Sequence, residues 1–179
     1  MDALERHADK QVLGATLHAE LLRRSMTLAT AESLTGGALA DLCSASPGAS
    51  ETYPGGVVSY ATEVKTGLLR VAERTVAEHG VISDECAREM ALGVRAVLGT
   101  DWGVATTGVA GPTTQEGKPV GEVHLAVAGP DAVVCRRLDL GGDRASIREQ
   151  AVVEAARLAL EAVTGHAATE RHRAAGAGS

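Results

Sequence analysis

The stretch Met26–Gly37, Met-Thr-Leu-Ala-Thr-Ala-Glu-Ser-Leu-Thr-Gly-Gly, constrains the fold more than any other. Its apolar run to Ala31 has the length of a buried strand, and the Ala/Leu segment that follows from Ala38 reads as a helix. Ser33, Thr35, Gly36 and Gly37 therefore stand at a strand-to-helix turn. Free backbone N–H groups at a helix start favour a negatively charged partner. Paired glycines allow a ligand to approach the main chain closely. A serine at the end of the strand would hold its hydroxyl near those donors, an arrangement that can supply a nucleophile and an oxyanion site together. The simpler alternative is that Ser33 or Thr35 caps the helix.

The rest of the chain extends this alternation. Leu13, Leu17 and Leu21 lie on one stripe of an amphipathic helix over residues 3–24. The first strand and the Gly36-Gly37 turn lead to a helix ending near Ala45, broken by Ser46-Pro47-Gly48. Residues 55–60 read as a second strand, and residues 62–69 and 74–79 as short helices. Ser83 is a good N-cap for a helix that carries Asp84 and Glu85 in its first turn and stops at Gly99. Residues 102–107 form a third strand, which enters a Gly-rich loop from Gly108 to Pro112. Residues 120–128 and 133–140 read as a hairpin around Gly129-Pro130-Asp131, and a last helix opens at Arg144 and runs to about Thr164. These elements predict one α/β domain over residues 1–164, a three-layer α/β/α sandwich with a mixed, mostly parallel sheet. From Gly165 the Ala/Gly/His/Arg tail has no period and is expected to be disordered.

Composition supports this reading and excludes several functions. The chain has no Phe, one Trp and two Tyr, so its core must be built from Val, Leu, Ile and Ala, as suits a sheet covered by helices. A formal net charge of −6 and the scarcity of stacking aromatics argue against a nucleic-acid surface. Cys43, Cys86 and Cys135 are widely spaced and the six histidines have no ligand spacing, so no metal, cofactor or disulfide framework is expected. His124 falls within a strand and reads as a structural or surface residue. With no apolar h-region and no run of membrane-spanning length, the expectation is a soluble cytoplasmic protein.

Known catalytic motifs do not fit. Gly111–Lys118 superficially looks like a phosphate loop, but it has five residues between its glycines and Pro119 after the lysine. No G-x-S-x-G or H-E-x-x-H occurs. A Ser–Lys pair remains. The segment Tyr60-Ala-Thr-Glu-Val-Lys65 ends the second strand, so Tyr60 and Lys65 approach Ser33 if the first two strands are parallel neighbours. A desolvated lysine can activate a serine. Its pKa would have to fall from about 10.4 towards about 7–8, which is about 4 kcal/mol in the balance of charged and neutral forms. Glu63 either orients the lysine or caps a helix. Thr107, Gly108 and Gly111 gather at the end of the third strand. Arg144, a cation at a helix start, opposes the macrodipole and is better explained by an anionic ligand than by helix stability, the alternative being a solvated surface arginine.

Five motifs in order carry a resemblance: Ala31-Glu32-Ser33-x-Thr35-Gly36-Gly37, Tyr60-x-x-Glu63-x-Lys65, Thr107-Gly108-x-Ala110-Gly111-Pro112, Lys118-Pro119-Val120-Gly121 and Gly142-Asp143-Arg144. Over residues 10–164 the chain resembles the CinA C-terminal domain family, whose enzymatic members are nicotinamide-nucleotide amidohydrolases. The resemblance implies hydrolysis of nicotinamide mononucleotide to nicotinate mononucleotide and ammonia, and a homodimer. It also implies Ser33 as nucleophile, Lys65 as its base, Tyr60 as a proton relay or orienting group, and Thr107 and Arg144 as substrate contacts. The Gly-rich turns, Thr35 and Glu63 complete the expected substrate site. Two positions depart from the family pattern: Thr62 stands where Asn is frequent, and Leu34 where Cys is frequent. The large N-terminal nucleotide-processing domain of many members is not part of this sequence. Some members lack amidase activity, so a non-catalytic module binding a pyridine nucleotide or a protein is the alternative.

The chain carries fourteen Arg but only Lys10, Lys65 and Lys118, so a lysine at position 65 invites a chemical test. A guanidinium holds its proton at any physiological pH and cannot serve as a general base. Lys65→Arg is expected to preserve charge and folding but abolish ammonia release from nicotinamide mononucleotide. Near-wild-type turnover would reduce Lys65 to a charge-balancing role.

Overall fold

The computed structural model describes the backbone of residues 3–176 and the side chains of residues 9–165. The elements follow as α1 (Ala3–Arg23), β1 (Leu28–Glu32), α2 (Ala38–Ser44), a 3-10 turn (Ala49–Glu51), β2 (Gly55–Val58), α3 (Thr62–Gly67), α4 (Glu73–His79), α5 (Asp84–Leu98), β3 (Trp102–Gly108), β4 (Glu122–Ala128), β5 (Val133–Asp139) and α6 (Arg144–Gly176). The sheet has five strands in the order β2-β1-β3-β4-β5. β1 pairs in parallel with both β2 and β3, whereas β3/β4 and β4/β5 are antiparallel. The sheet is mixed and mostly parallel as expected: β1, β2, β3 and β5 run in one direction and β4 alone is reversed. Helical crossovers connect β1, β2 and β3, while shorter loops return the chain for β4 and β5.

The alternation of strand side chains separates two cores. Leu28, Val104, Leu125 and Val127 point to one layer, where they pack with Leu17 and Leu21 of α1, Leu39 and Leu42 of α2, and Ile147, Val152 and Leu158 of α6. Ala29, Ala31, Ala105, Ala126 and Ala128 point to the other, beneath Met90, Ala91 and Val94 of α5. Large residues thus face three helices, and small ones let a single helix settle closely on the sheet. Ser83 caps α5 by accepting from the Cys86 N–H at 3.1 Å, and Gly99 ends it with φ 63°.

Most differences from the sequence reading concern element ends. β2 stops at Val58 because the chain then bends towards α3. β4 begins at Glu122, since Pro119 and Gly121 (φ 96°) shape the approach to it. α6 extends to Gly176, past the expected boundary at 164; Ala, Glu and Arg favour helix without any apolar period. The rest of the expected disordered tail, residues 177–179, lies outside the described residues.

The close approach of α5 makes a direct test of the two-sided sheet. A Cβ at Gly103 of β3 would lie 2.1 Å from the Ala91 carbonyl oxygen of α5. Gly103→Ala is expected to cost about 1–3 kcal/mol by overpacking, lowering Tm by roughly 2–4 °C for each kcal/mol. Thermal unfolding followed by circular dichroism measures it, and an unchanged Tm would mean that α5 does not bear on the sheet there.

Candidate active site

Ser33 immediately follows β1, and its N–H still donates to the Thr106 carbonyl at 2.9 Å. The two-residue period therefore persists one position beyond the strand. Glu32 points towards α2, and Ser33 towards the α5 layer with Ala29 and Ala31. Thr107 emerges on that same side from β3 and donates its hydroxyl to the Val81 carbonyl at 2.6 Å. A cavity of about 240 Å³ opens there, with Ser33, Tyr60, Thr62, Lys65, Thr107 and Arg144 in its wall. Gly108–Gly111 and the loop residues Thr113, Thr114 and Gln115 also line it.

Lys65 is brought to Ser33 by the parallel pairing of β1 and β2, as the sequence predicts. Its side chain, 1% exposed, places Nζ 3.2 Å from Ser33 Oγ, 2.6 Å from the Ser59 carbonyl oxygen and 3.4 Å from that of Tyr60. Burial disfavours the ammonium and holds the Lys65 pKa below the ordinary lysine value; the negative charges of Glu116 and Glu63 oppose the shift. The Cys86 thiol, pushed up to about 12 by its own burial, is neutral over the working pH range and offsets nothing. A neutral amine has two N–H groups and one lone pair. With the N–H groups directed to Ser59 and Tyr60, the lone pair is left for the Ser33 hydroxyl proton.

Arg144 begins α6 and spans the cavity mouth. Its Nη1 donates to the Gly111 carbonyl at 2.6 Å, and its Nη2 to the Tyr60 hydroxyl at 3.0 Å. Tyr60 is 60% exposed, so this hydroxyl sits on the solvent side of the site, away from the buried amine. The cavity thus has a dry end with a nucleophile and an amine, and a wet end with a guanidinium.

The glycine turn differs from expectation. Gly36 (φ 59°) and Gly37 (φ 97°) adopt the left-handed conformation that favours glycine. The amides beyond them are not open to a ligand: the Glu32 carboxylate accepts from the N–H groups of Gly37, Leu39 and Ala40 at 3.0, 3.0 and 2.8 Å. The expected anionic partner is the chain's own side chain. Thr35 is buried with its hydroxyl 2.7 Å from that of Thr106, and neither Thr35, Gly36, Gly37 nor the exposed Glu63 lines the cavity. Glu63 does not cap α3 either, whose N-cap is Ala61.

Three contributors escaped the sequence reading. Glu116 accepts from the N–H groups of Val81 (3.0 Å) and Ile82 (3.4 Å), tying the loop after β3 to the cavity wall. Arg148 donates to the carbonyls of Leu34 and Thr35. Its spacing of four from Arg144 on one helix was the available signal. Glu32 itself could have been identified from strand alternation, which sets it opposite Ser33. His124 lies outside the cavity, buried between Asp84 (2.6 Å) and Glu122 (3.1 Å), and Lys118 pairs with Glu122 at 3.2 Å. Among the described residues, no group of three or more His, Cys, Asp or Glu side chains could hold a metal ion. No helix among them is long and apolar enough to cross a membrane.

The model of the CinA C-terminal domain matches residues 10–163. This chain belongs to that family. A CinA-like protein of Frankia casuarinae is 51% identical over 158 residues, covering 88% of this chain and 36% of the relative. One from Gloeobacter violaceus is 49% identical over 140 residues, covering 76% and 32%. The chain thus spans about a third of the length of these curated relatives. Among solved structures, a CinA superfamily protein of Klebsiella pneumoniae superposes with a TM-score of 0.84 at 32% identity, covering 87% of this chain and 98% of that one. The competence damage-inducible protein A of Klebsiella pneumoniae gives 0.83 at 34%, covering 85% and 95%. The CinA fold is therefore shared along nearly the whole length of those chains.

In this CinA domain the depressed Lys65 pKa can be read directly. With Nζ labelled by ¹⁵N, Lys65 is expected to titrate below the ordinary lysine value of about 10.4, because burial removes the solvation of its charged form. Its neutral fraction therefore grows at a lower pH than that of a solvated lysine. An NMR titration midpoint at or above the ordinary value would mean that Nζ stays charged beside Ser33.

Proposed function

We propose that this CinA domain is a cytoplasmic nicotinamide-nucleotide amidohydrolase that converts nicotinamide mononucleotide to nicotinate mononucleotide and ammonia. The observation that carries the reading is the buried Lys65 amine, 3.2 Å from Ser33 Oγ, in a cavity whose outer rim bears Arg144. Ser33 Oγ attacks the carboxamide carbon while its proton passes to neutral Lys65. The carbon–nitrogen bond then breaks, and the Lys65 proton leaves with the amide nitrogen as ammonia. The resulting Ser33 ester is hydrolysed by water, whose proton Lys65 takes and returns to Ser33. Tyr60, hydrogen-bonded to Arg144, orients the outer part of the substrate or relays protons to solvent. No resident metal or cofactor is invoked. A homodimer remains part of the proposal by family resemblance.

Arg144 suits the substrate phosphate. In exchange for its bonds to Gly111 and Tyr60 it can offer a bidentate pair of N–H groups to an anion. Thr107 and the turn from Gly108 to Gly111 line the path between that cation and Ser33. Gly36, Gly37, Thr35 and Glu63 are left out of substrate contact in this reading.

Ammonia release from nicotinamide mononucleotide, with and without a chelator, separates the amidase from a non-catalytic binding module. Ser33→Ala is expected to lower kcat by about 10⁴–10⁶ while binding persists. Arg144→Ala is expected to raise KM for the mononucleotide by an amount equivalent to about 1.5–3 kcal/mol and to leave activity on nicotinamide riboside nearly unchanged. Equal losses on both substrates would remove Arg144 from the phosphate site, and a silent wild-type protein that still binds the nucleotide would favour the binding module.

A further inference from the structure

The turn that carries Ser33 is gripped from both sides by charges that line no part of the cavity. On its amide side, Glu32, 1% exposed, accepts from Gly37, Leu39 and Ala40. On its carbonyl side, Arg148 reaches in from α6, donating from Nε to the Leu34 oxygen at 3.0 Å and from Nη2 to the Thr35 oxygen at 2.8 Å. Charge-assisted bonds of this kind are stronger and geometrically stricter than neutral ones. An N-cap needs only a serine or asparagine oxygen on one or two amides. Here a full carboxylate is buried and accepts from three main-chain N–H groups, with the Thr30 hydroxyl also donating at 3.5 Å.

Glu32 also reaches the other member of the pair through its main chain. Its carbonyl accepts from the Ser59 N–H at 2.8 Å, and the Ser59 carbonyl in turn accepts from Lys65 Nζ at 2.6 Å. The side chain of Glu32 thus sets the turn after Ser33, while its backbone sets the carbonyl that anchors the amine.

We propose that Glu32 is a positioning residue for the Ser33–Lys65 pair, with Arg148 as its cationic counterpart across the turn. The inference rests on the amidase reading for its choice of substrate but not for its physical basis. Reactive geometry is sensitive to displacements of about 1 Å, which can cost on the order of 10² in rate. Replacing the Glu32 carboxylate by an amide of the same size turns one acceptor into a donor facing main-chain N–H groups, so the turn must shift. Arg144 and Thr107 belong to other segments and keep their places.

Two readouts on the full chain test this. In the first, Glu32→Gln is expected to lower kcat on nicotinamide mononucleotide by roughly 10–100-fold, with KM within about 2-fold of wild type. The second needs no nucleotide: the rate at which a fluorophosphonate labels Ser33, located by mass spectrometry, is expected to fall by the same factor. Glu32→Asp, which keeps the charge on a shorter stem, should recover part of both rates. If Glu32→Gln does not fold, Arg148→Gln carries the test, with the same expected split and recovery in Arg148→Lys. The proposal is overturned if the folded variants lose Tm but keep both rates, per folded site, within about 2-fold of wild type. Wild-type protein that labels at Ser33 but releases no ammonia would sink the substrate reading alone, and the labelling ratios would then decide the positioning role. Absence of Ser33 labelling in the wild type would overturn the positioning role together with the nucleophile.

Discussion

The two-residue period at the end of β1 is the constraint on which the site depends. Glu32 and Ser33 are adjacent in sequence, yet a strand directs them to opposite faces of the sheet. One face belongs to α1, α2 and α6, and there Glu32 meets the amides of α2. The other belongs to α5, and there Ser33 meets Lys65. A slip of one residue would bury the serine under α2 and leave a carboxylate beside the amine. The register with β2 and β3 on both sides of β1 prevents that slip.

Small residues on the α5 face have a chemical consequence as well as a packing one. They let the helix close over the sheet, which excludes water from the inner end of the cavity. Lys65 is desolvated because that layer is tight, and desolvation is what lowers its pKa. The outer end is wet, because Tyr60, in the bend after β2, and Arg144, at the start of α6, are both exposed. A single cavity therefore presents two dielectric environments. A neutral amine is favoured in one, and a permanently charged guanidinium is at home in the other.

The free N–H groups at the helix start after Gly37 favour an anion, and the anion they take is the Glu32 carboxylate. Side chain and ligand compete for the same donors, and a tethered carboxylate has a large advantage over a free one because its effective concentration is high. Glu32 lies five residues before Gly37, within reach only because the turn folds back on the strand. At the other glycine-rich segment, Gly111–Lys118, the lysine is likewise paired within the chain, with Glu122 at 3.2 Å.

The sequence by itself determined the elements and their order. Apolar runs, glycine breaks and the Ser83 cap depend on near neighbours, and local physics settles them. It also established the family, and it brought Ser33, Lys65, Tyr60 and Arg144 forward by residue type and motif. The two faces of the sheet, large residues on one and small ones on the other along β1, β3 and β4, emerge only once the structure shows which helices cover each. Only the tertiary structure decided the equal share of parallel and antiparallel pairing, the capture of the α2 amides by Glu32, and the hold of Arg148 and Glu116 on segments distant in sequence. Those outcomes turn on which donors and acceptors meet across the fold, and a buried polar group takes the partner that packing brings to it rather than the one nearest along the chain.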